Sequence, residues 1–211
     1  MGNTPPLPSF TYTRFPELPT FLGVNPLYNF NVLKVKGVLF KAAQSFVKEN
    51  FGGRGEHEVS KRLKKASRNA FEKPILTQLY LVGFYEEVLN AIKDACNLDY
   101  EEIGKGIFKY IRDMLFDVLE SEIRSYGDLI LNANKITSYM IDGLNWKVET
   151  LERGKSYLIT VKSPYNLSSH RAFWKSVKGF AEELLKFYRI ENPKISIESL
   201  DFNEIKVRLE V

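Results

Sequence analysis

GLNWKVETLERGKSYLITVKSP, residues 143–164, alternates in character at nearly every second position. Leu144, Trp146 and Val148 interleave with Asn145, Lys147 and Glu149. After a turn at Glu152–Arg153–Gly154–Lys155, Tyr157, Ile159 and Val161 interleave with Leu158, Thr160 and Lys162. A period of two belongs to a half-buried strand, and two such runs joined by a short glycine-containing turn predict a hairpin. Upstream of Gly143 the apolar period is instead that of helices. The switch marks a helical half giving way to a sheet.

Working upstream, KGVLFKAAQSFVKENFGG (36–53) places Val38, Leu39, Ala42, Phe46 and Val47 at helical spacing, and Gly52–Gly53 reads as a C-terminal stop. A basic amphipathic helix is expected over 53–73, with Lys61, Lys64, Lys65 and Arg68 on one face and Val59, Leu63, Ala66 and Ala70 on another. A third helix is expected from Pro74, buried along Leu79, Val82, Val88, Leu89, Ile92 and Cys96. Asp99 with Glu102 forms a capping box for a fourth, and a last helical stretch over about 120–141 breaks near Gly127.

Downstream, Ser168 or Ser169 is expected to cap a helix carrying Phe173, Val177, Phe180 and Leu184 on one side. Strands over 194–199 and 204–211 close the chain. Helices followed by β-β-α-β-β predict an α+β protein whose antiparallel four-stranded sheet packs against a helical bundle. Six of the nine prolines fall at or before Pro26, among Phe10, Tyr12, Phe15 and Phe21. Residues 1–35 therefore read as an extended strap, too rich in apolar surface for a free tail. Residues 36–211 read as a single domain, with a helical half (36–142) and a sheet half (143–211).

The 211 residues are 44% hydrophobic and 27% charged, with a net charge of +4, which fits one soluble globular domain. No apolar run approaches the roughly 18–20 residues that span a bilayer, and MGNTPPLPSF has no signal-peptide pattern, so no membrane span and a cytoplasmic setting are expected. The single cysteine, Cys96, excludes an internal disulfide. The basic run has no aromatic or glycine-rich nucleic-acid motif beside it, so it reads as a solvated face and no nucleic-acid partner is expected. There is no P-loop, dinucleotide fingerprint, nucleophile elbow or zincin motif. GKGIFKY (104–110) sits inside a helical pattern and reads as close helix packing. Ser168, Ser169 and His170 splay apart as neighbours, which suits capping better than a nucleophile and base. Glu101–Glu102 and Glu182–Glu183 read as surface and capping charges. No enzymatic role is expected.

KGVLFKAAQSFVKENFGG resembles the opening helix of heme-nitric oxide/oxygen binding (H-NOX) domains. VKSPYNLSSHRAFWKSVKGFAEELLKFYRI (161–190) is similar to their strand-to-helix step, and the order of elements agrees over 36–211. The same superfamily holds 4-vinyl-reductase domains and TRAPP vesicle-tethering subunits; the chain looks most similar to an uncharacterised, heme-free bacterial branch of myxobacterial type. The resemblance implies a helical half and a sheet enclosing an apolar cavity. H-NOX domains hold heme with a Tyr-x-Ser-x-Arg strand motif, and the matching positions here are Val161, Ser163 and Tyr165. Their iron-ligating histidine precedes the first strand, where GDLILNANKITSYMIDG (127–143) has none and Tyr139 offers only a phenol. The cysteines of vinyl reductases are likewise missing from SIESLDFNEIKVRLEV (196–211). The resemblance therefore implies a non-catalytic, heme-free, cofactor-free module that binds or senses a small apolar ligand. Tyr139, Trp146, Tyr157 and Tyr165 are the candidate ligand-binding aromatics near the cavity mouth, with Ser163 as a polar point. The alternative is a TRAPP-like interaction subunit, with a filled cavity and a protein partner or a homodimer; an enzyme is the third reading.

Overall fold

The computed structural model describes residues 32–122 and 125–211, without the side chains of 115–122, 126 and 131. Most of the expected strap, 1–31, thus lies outside the described residues. The described chain opens with a short strand, β1 (Lys34–Lys36), and a long helix, α1 (Gly37–Arg62). Gly52, at φ +67°, bends α1 without ending it. The expected stop is only a break: Gln44 before the bend donates at 3.0 Å to Glu56 beyond it, and Val59 is fully buried.

The basic helix expected over 53–73 is two pieces, the end of α1 and α2 (Lys65–Glu72), separated by the extended, buried Leu63. Arg68 does not sit on a solvated face. Its guanidinium donates to the carbonyls of Ser60 at 2.8 Å and Leu63 at 3.0 Å, acceptors at the end of α1 that have no i+4 helical donor. Ala66 is exposed, and Ser67 is buried in its place, donating to Glu87 at 2.6 Å.

A strand, β2 (Leu79–Leu81), precedes α3 (Val82–Cys96), so the helix expected from Pro74 begins only at Val82 and Leu79 is exposed. The reason is tertiary. The first amides of α1 need acceptors, and the carbonyls of Gln78 and Leu76 take those of Gly37 at 2.9 Å and Val38 at 3.1 Å. Helical hydrogen bonding through 76–81 would withdraw those carbonyls. Gly37 permits the close approach, since a Cβ there would lie 2.0 Å from the Ile75 carbonyl oxygen.

The helix α4 (Tyr100–Glu122) opens on the expected reciprocal cap: Glu102 N–H donates to Asp99 at 2.8 Å, and Asp99 N–H to Glu102 at 2.7 Å. The stretch over 120–141 is divided into α5 (Tyr126–Leu131), capped by the Ser125 hydroxyl, and α6 (Ala133–Ser138). A two-residue strand, β3 (Ile141–Asp142), then pairs with β1. The order β2-β1-β3 makes a small antiparallel sheet that the helical periodicity of this region concealed.

The expected hairpin follows as β4 (Asn145–Glu152) and β5 (Ser156–Lys162), then α7 (Arg171–Phe187), β6 (Lys194–Leu200) and β7 (Glu204–Glu210). The four strands form one antiparallel sheet in the order β4-β5-β7-β6. Its register aligns Trp146 with Val161 and Ile205, and Val148 with Ile159, Val207 and Ile197. These rows lie on one face, as the pleat requires of alternate residues. The architecture is α+β, with helices packed on one side of this sheet.

Ser168 and Ser169 do not cap α7. Both hydroxyls turn back to Asn166, at 2.9 and 3.3 Å. The cap comes from α3 instead: one Glu86 oxygen accepts the Phe173 amide at 3.2 Å while the other lies 2.7 Å from His170 Nδ1. A carboxylate at a helix N-terminus also complements the helix dipole. The helices α4 and α7 make the tightest contact. Gly104 faces the Ser176 carbonyl and Gly179 faces the Glu101 carbonyl, with room for a hydrogen but none for a methyl group.

Candidate functional site

Helices α4 to α7 do not close fully on the large sheet. A cavity of about 170 Å³ lies between them. Its floor is the inward face of the sheet, including Trp146, Ile159, Val161, Ile205 and Val207. Phe173, Val177, Ala181 and Leu184 of α7 form the roof with Gly104 and Ile107 of α4. Leu129, Ala133 and Ile136 of α5 and α6 close one side. Ala133 and Ala181 border the space with single methyl groups.

The wall is apolar almost throughout. Of its polar members, Thr137 donates its hydroxyl to the Ala133 carbonyl at 2.8 Å, and Lys178 carries its ammonium away to Glu101 at 2.6 Å. Tyr85 packs its ring edge-on against Phe40 and Phe173, and burial pushes its phenol far above the usual range, so it is a neutral O–H group. The volume is that of apolar cavities which exclude water and take up benzene or xenon, and falls short of the roughly 300–1,000 Å³ of sites for larger ligands.

Of the five candidates named from the sequence, Trp146 lines the cavity, and the lining does not include Tyr139, Tyr157, Ser163 or Tyr165. Trp146 is held by Asn134 of α6, whose side-chain amide accepts its N–H at 2.7 Å and donates to its carbonyl at 3.0 Å. Asn134 thus acts as a one-residue strand partner that fixes α6 against β4. Tyr139 ends α6 and is half-buried, and Tyr157 lies in the row of Thr150 and Leu209. Ser163 and Tyr165 make the corner between β5 and α7. The Ser163 hydroxyl accepts the Tyr165 N–H at 3.2 Å, Ser163 N–H donates to Asn203 at 3.1 Å, and the Tyr165 ring lies over Gly143, whose φ is +77°. These groups are consumed in turning the chain. Tyr85, Phe173 and Ala133 were not singled out from sequence as site residues. The small residues at 133 and 181 are the signal that would have pointed to the space they border.

No family model matches the sequence, and no curated protein matches it. Solved structures match the fold. An H-NOX protein from S. oneidensis in the Fe(II)NO ligation state aligns at a TM-score of 0.60 and 12% identity, over 83% of this chain and 98% of that one. The Fe(II) unliganded H-NOX protein from K. algicida gives 0.59 and 14%, over 83% and 95%. The fold is H-NOX-like. An oxygen-binding H-NOX domain related to soluble guanylate cyclases adds a third likeness at 0.55 and 12%, over 83% and 94%.

Beside the cavity of the H-NOX-like fold, α4 and α7 are bridged by a chain of charges that the sequence presented as surface residues. Lys178 lies 2.6 Å from Glu101 and 3.2 Å from Glu182, and Lys105 lies 2.9 Å from Glu182. Partial burial alone would raise the Glu182 pKa, but hydrogen bonds from Lys105 and Lys178 outweigh it and hold the carboxyl below its usual range. Burial likewise works against charged Lys178, and Glu101 and Glu182 overcome it, so its pKa is raised; the Glu182 hydrogen bond raises that of Lys105.

The Glu182 contribution is complete above its unfolded pKa of about 4.3 and is lost as pH falls through the lower folded value. The lysine contributions are complete below about 10.4 and are lost as pH rises through the higher folded values. Urea unfolding should therefore show a stability plateau between about pH 6 and 9, and Glu182→Gln should lower it and weaken both limbs. An unchanged plateau in that variant would remove the network from the energetics.

An open polar depression at the start of α7 is bordered by Glu86, Asn90, Tyr100, Arg171 and Lys175. Glu86 is spent on the cap, and Asn90 accepts the Tyr100 hydroxyl at 2.6 Å. Burial pushes the Cys96 thiol up, away from the reactive thiolate. Among the described residues no group of three or more His, Cys, Asp or Glu side chains converges on a metal position, and no helix is long and apolar enough to cross a membrane.

Proposed function

We propose that this chain is a non-catalytic, heme-free binding or sensory module that admits a small apolar molecule to the cavity between the sheet and α4 to α7. The single supporting observation is the cavity itself: about 170 Å³, almost wholly apolar, and continuous with the inward rows of the sheet. The oxygen-binding H-NOX domain among the structural neighbours supports a ligand-binding role for this architecture. The residues present do not suit an iron porphyrin. The wall has no imidazole or thiolate to ligate iron, its one phenol is the far-raised Tyr85, and the space is too small for a macrocycle. Val161 and Tyr165 also stand where the family places its Tyr and Arg.

A protein-interaction role has its own foothold, because Ile75, Leu76 and Leu79 are 58%, 48% and 41% exposed around β2. Native mass spectrometry of the protein as purified reads both. A mass in excess of the polypeptide by a small molecule supports the binding role, and a dimer of bare chains supports the interaction role. Titration with hemin should give no sharp Soret band. A band that disappears in Tyr85→Phe or Tyr139→Phe would overturn the heme-free reading.

A further inference from the structure

Among the described residues, two buried side-chain polar atoms have no hydrogen-bond partner, Trp146 Nε1 and Ser199 Oγ. Ser199 sits at the β6 irregularity between Ile197 and Ser199, and the cavity lining does not include it. Trp146 is different, since it forms part of the cavity floor. Its backbone is fully engaged by Asn134, which fixes the ring's attachment, yet its indole N–H is left without an acceptor. The other tryptophan, Trp174, borders the same cavity and behaves ordinarily, donating Nε1–H to the Leu167 carbonyl at 3.0 Å. A buried donor without an acceptor is uncommon in folded proteins and costly, and it calls for a partner that the polypeptide does not supply. Water is a poor candidate, because a water molecule needs two to four polar partners and the cavity wall is apolar almost throughout.

Building on the binding role proposed above, we infer that the guest of this cavity is an apolar molecule of about one aromatic ring that carries a hydrogen-bond acceptor, and that Trp146 Nε1–H is the donor that orients it. A carbonyl, ether or aromatic nitrogen on such a molecule fits this chemistry. A carboxylate does not, because the wall presents no free cation: the Lys178 ammonium is held by Glu101 and Glu182.

Two probes of nearly equal shape separate the possibilities: ethylbenzene, with no acceptor, and acetophenone, with a carbonyl oxygen. The sequence has two tryptophans, so ¹H–¹⁵N spectra contain two indole N–H signals. Acetophenone should move the Trp146 signal downfield and saturate it, whereas ethylbenzene should not produce the downfield shift; the Trp174 signal, already bonded, should move little with either. In Trp146→Phe the acetophenone dissociation constant should rise at least five-fold more than that of ethylbenzene, which reads the loss of the donor apart from the loss of floor. Binding of both probes with no downfield shift and no selective loss in Trp146→Phe would overturn the donor assignment and leave the apolar site standing. Binding of neither probe to the wild type would overturn both.

Discussion

Replacing Gly179 with alanine is expected to lower the unfolding free energy by about 3 kcal/mol or more, at the top of the range for overpacked interiors. The added Cβ would fall 2.0 Å from the Glu101 carbonyl oxygen, and the reciprocal Gly104→Ala would place one 1.9 Å from the Ser176 carbonyl oxygen. Neither clash is with a flexible side-chain tip. Both are with helix backbone, so relief requires α4 and α7 to move apart, and this also disrupts the Lys178–Glu101 bridge beside the contact. Gly83→Ala supplies the control. It lies in α3 with nothing within 4 Å of the added atom, and alanine there should stabilise by up to about 1 kcal/mol through helix propensity and loss of unfolded-chain freedom. Opposite signs for these two variants in denaturant unfolding would establish that contact geometry, not glycine as such, sets the cost. A Gly179→Ala protein as stable as the wild type would refute the close helix packing.

Filling the cavity should abolish guest binding and stabilise the protein. Ala181 lies on the α7 side of the space, and leucine there adds three carbon atoms. Their transfer from water is worth roughly 2 kcal/mol, less whatever strain the new rotamer introduces. Ala181→Leu should therefore raise the unfolding midpoint while binding of ethylbenzene falls below detection. An overpacked interior would behave oppositely, with a lower midpoint; that result would mean that the space is not available to a side chain of this size.

The hairpin and the strands after α7 were legible because their face is set by simple alternation: Trp146, Ile159, Val161 and Ile205 point one way and meet in register. The Asp99–Glu102 cap was equally legible, being complete within four residues. What escaped notice depends on partners distant in sequence. Nothing local to Leu79–Leu81 says strand; that conformation follows from β1 and from the amides of Gly37 and Val38 that residues 76 and 78 must accept. Nor does Ser168–Ser169 reveal that Glu86, on another helix, already caps α7. For the site, Trp146 was visible as an inward aromatic at the start of a strand. Tyr85 reads in sequence as one more aromatic on a buried helix, and only the tertiary fold brings it to the cavity.

Whether this space receives a guest is decided by titrating benzene into protein with labelled isoleucine methyl groups. Ile107, Ile136, Ile159, Ile195 and Ile205 line the cavity, whereas Ile75, on the loop before β2, is 58% exposed and is not part of the lining. Saturable shifts at the lining methyl groups, silent at Ile75 and lost in Ala181→Leu, are the expected result. Shifts that never saturate, or that concentrate at Ile75 and persist in the filled variant, would show that the cavity takes up nothing and that the binding role is wrong.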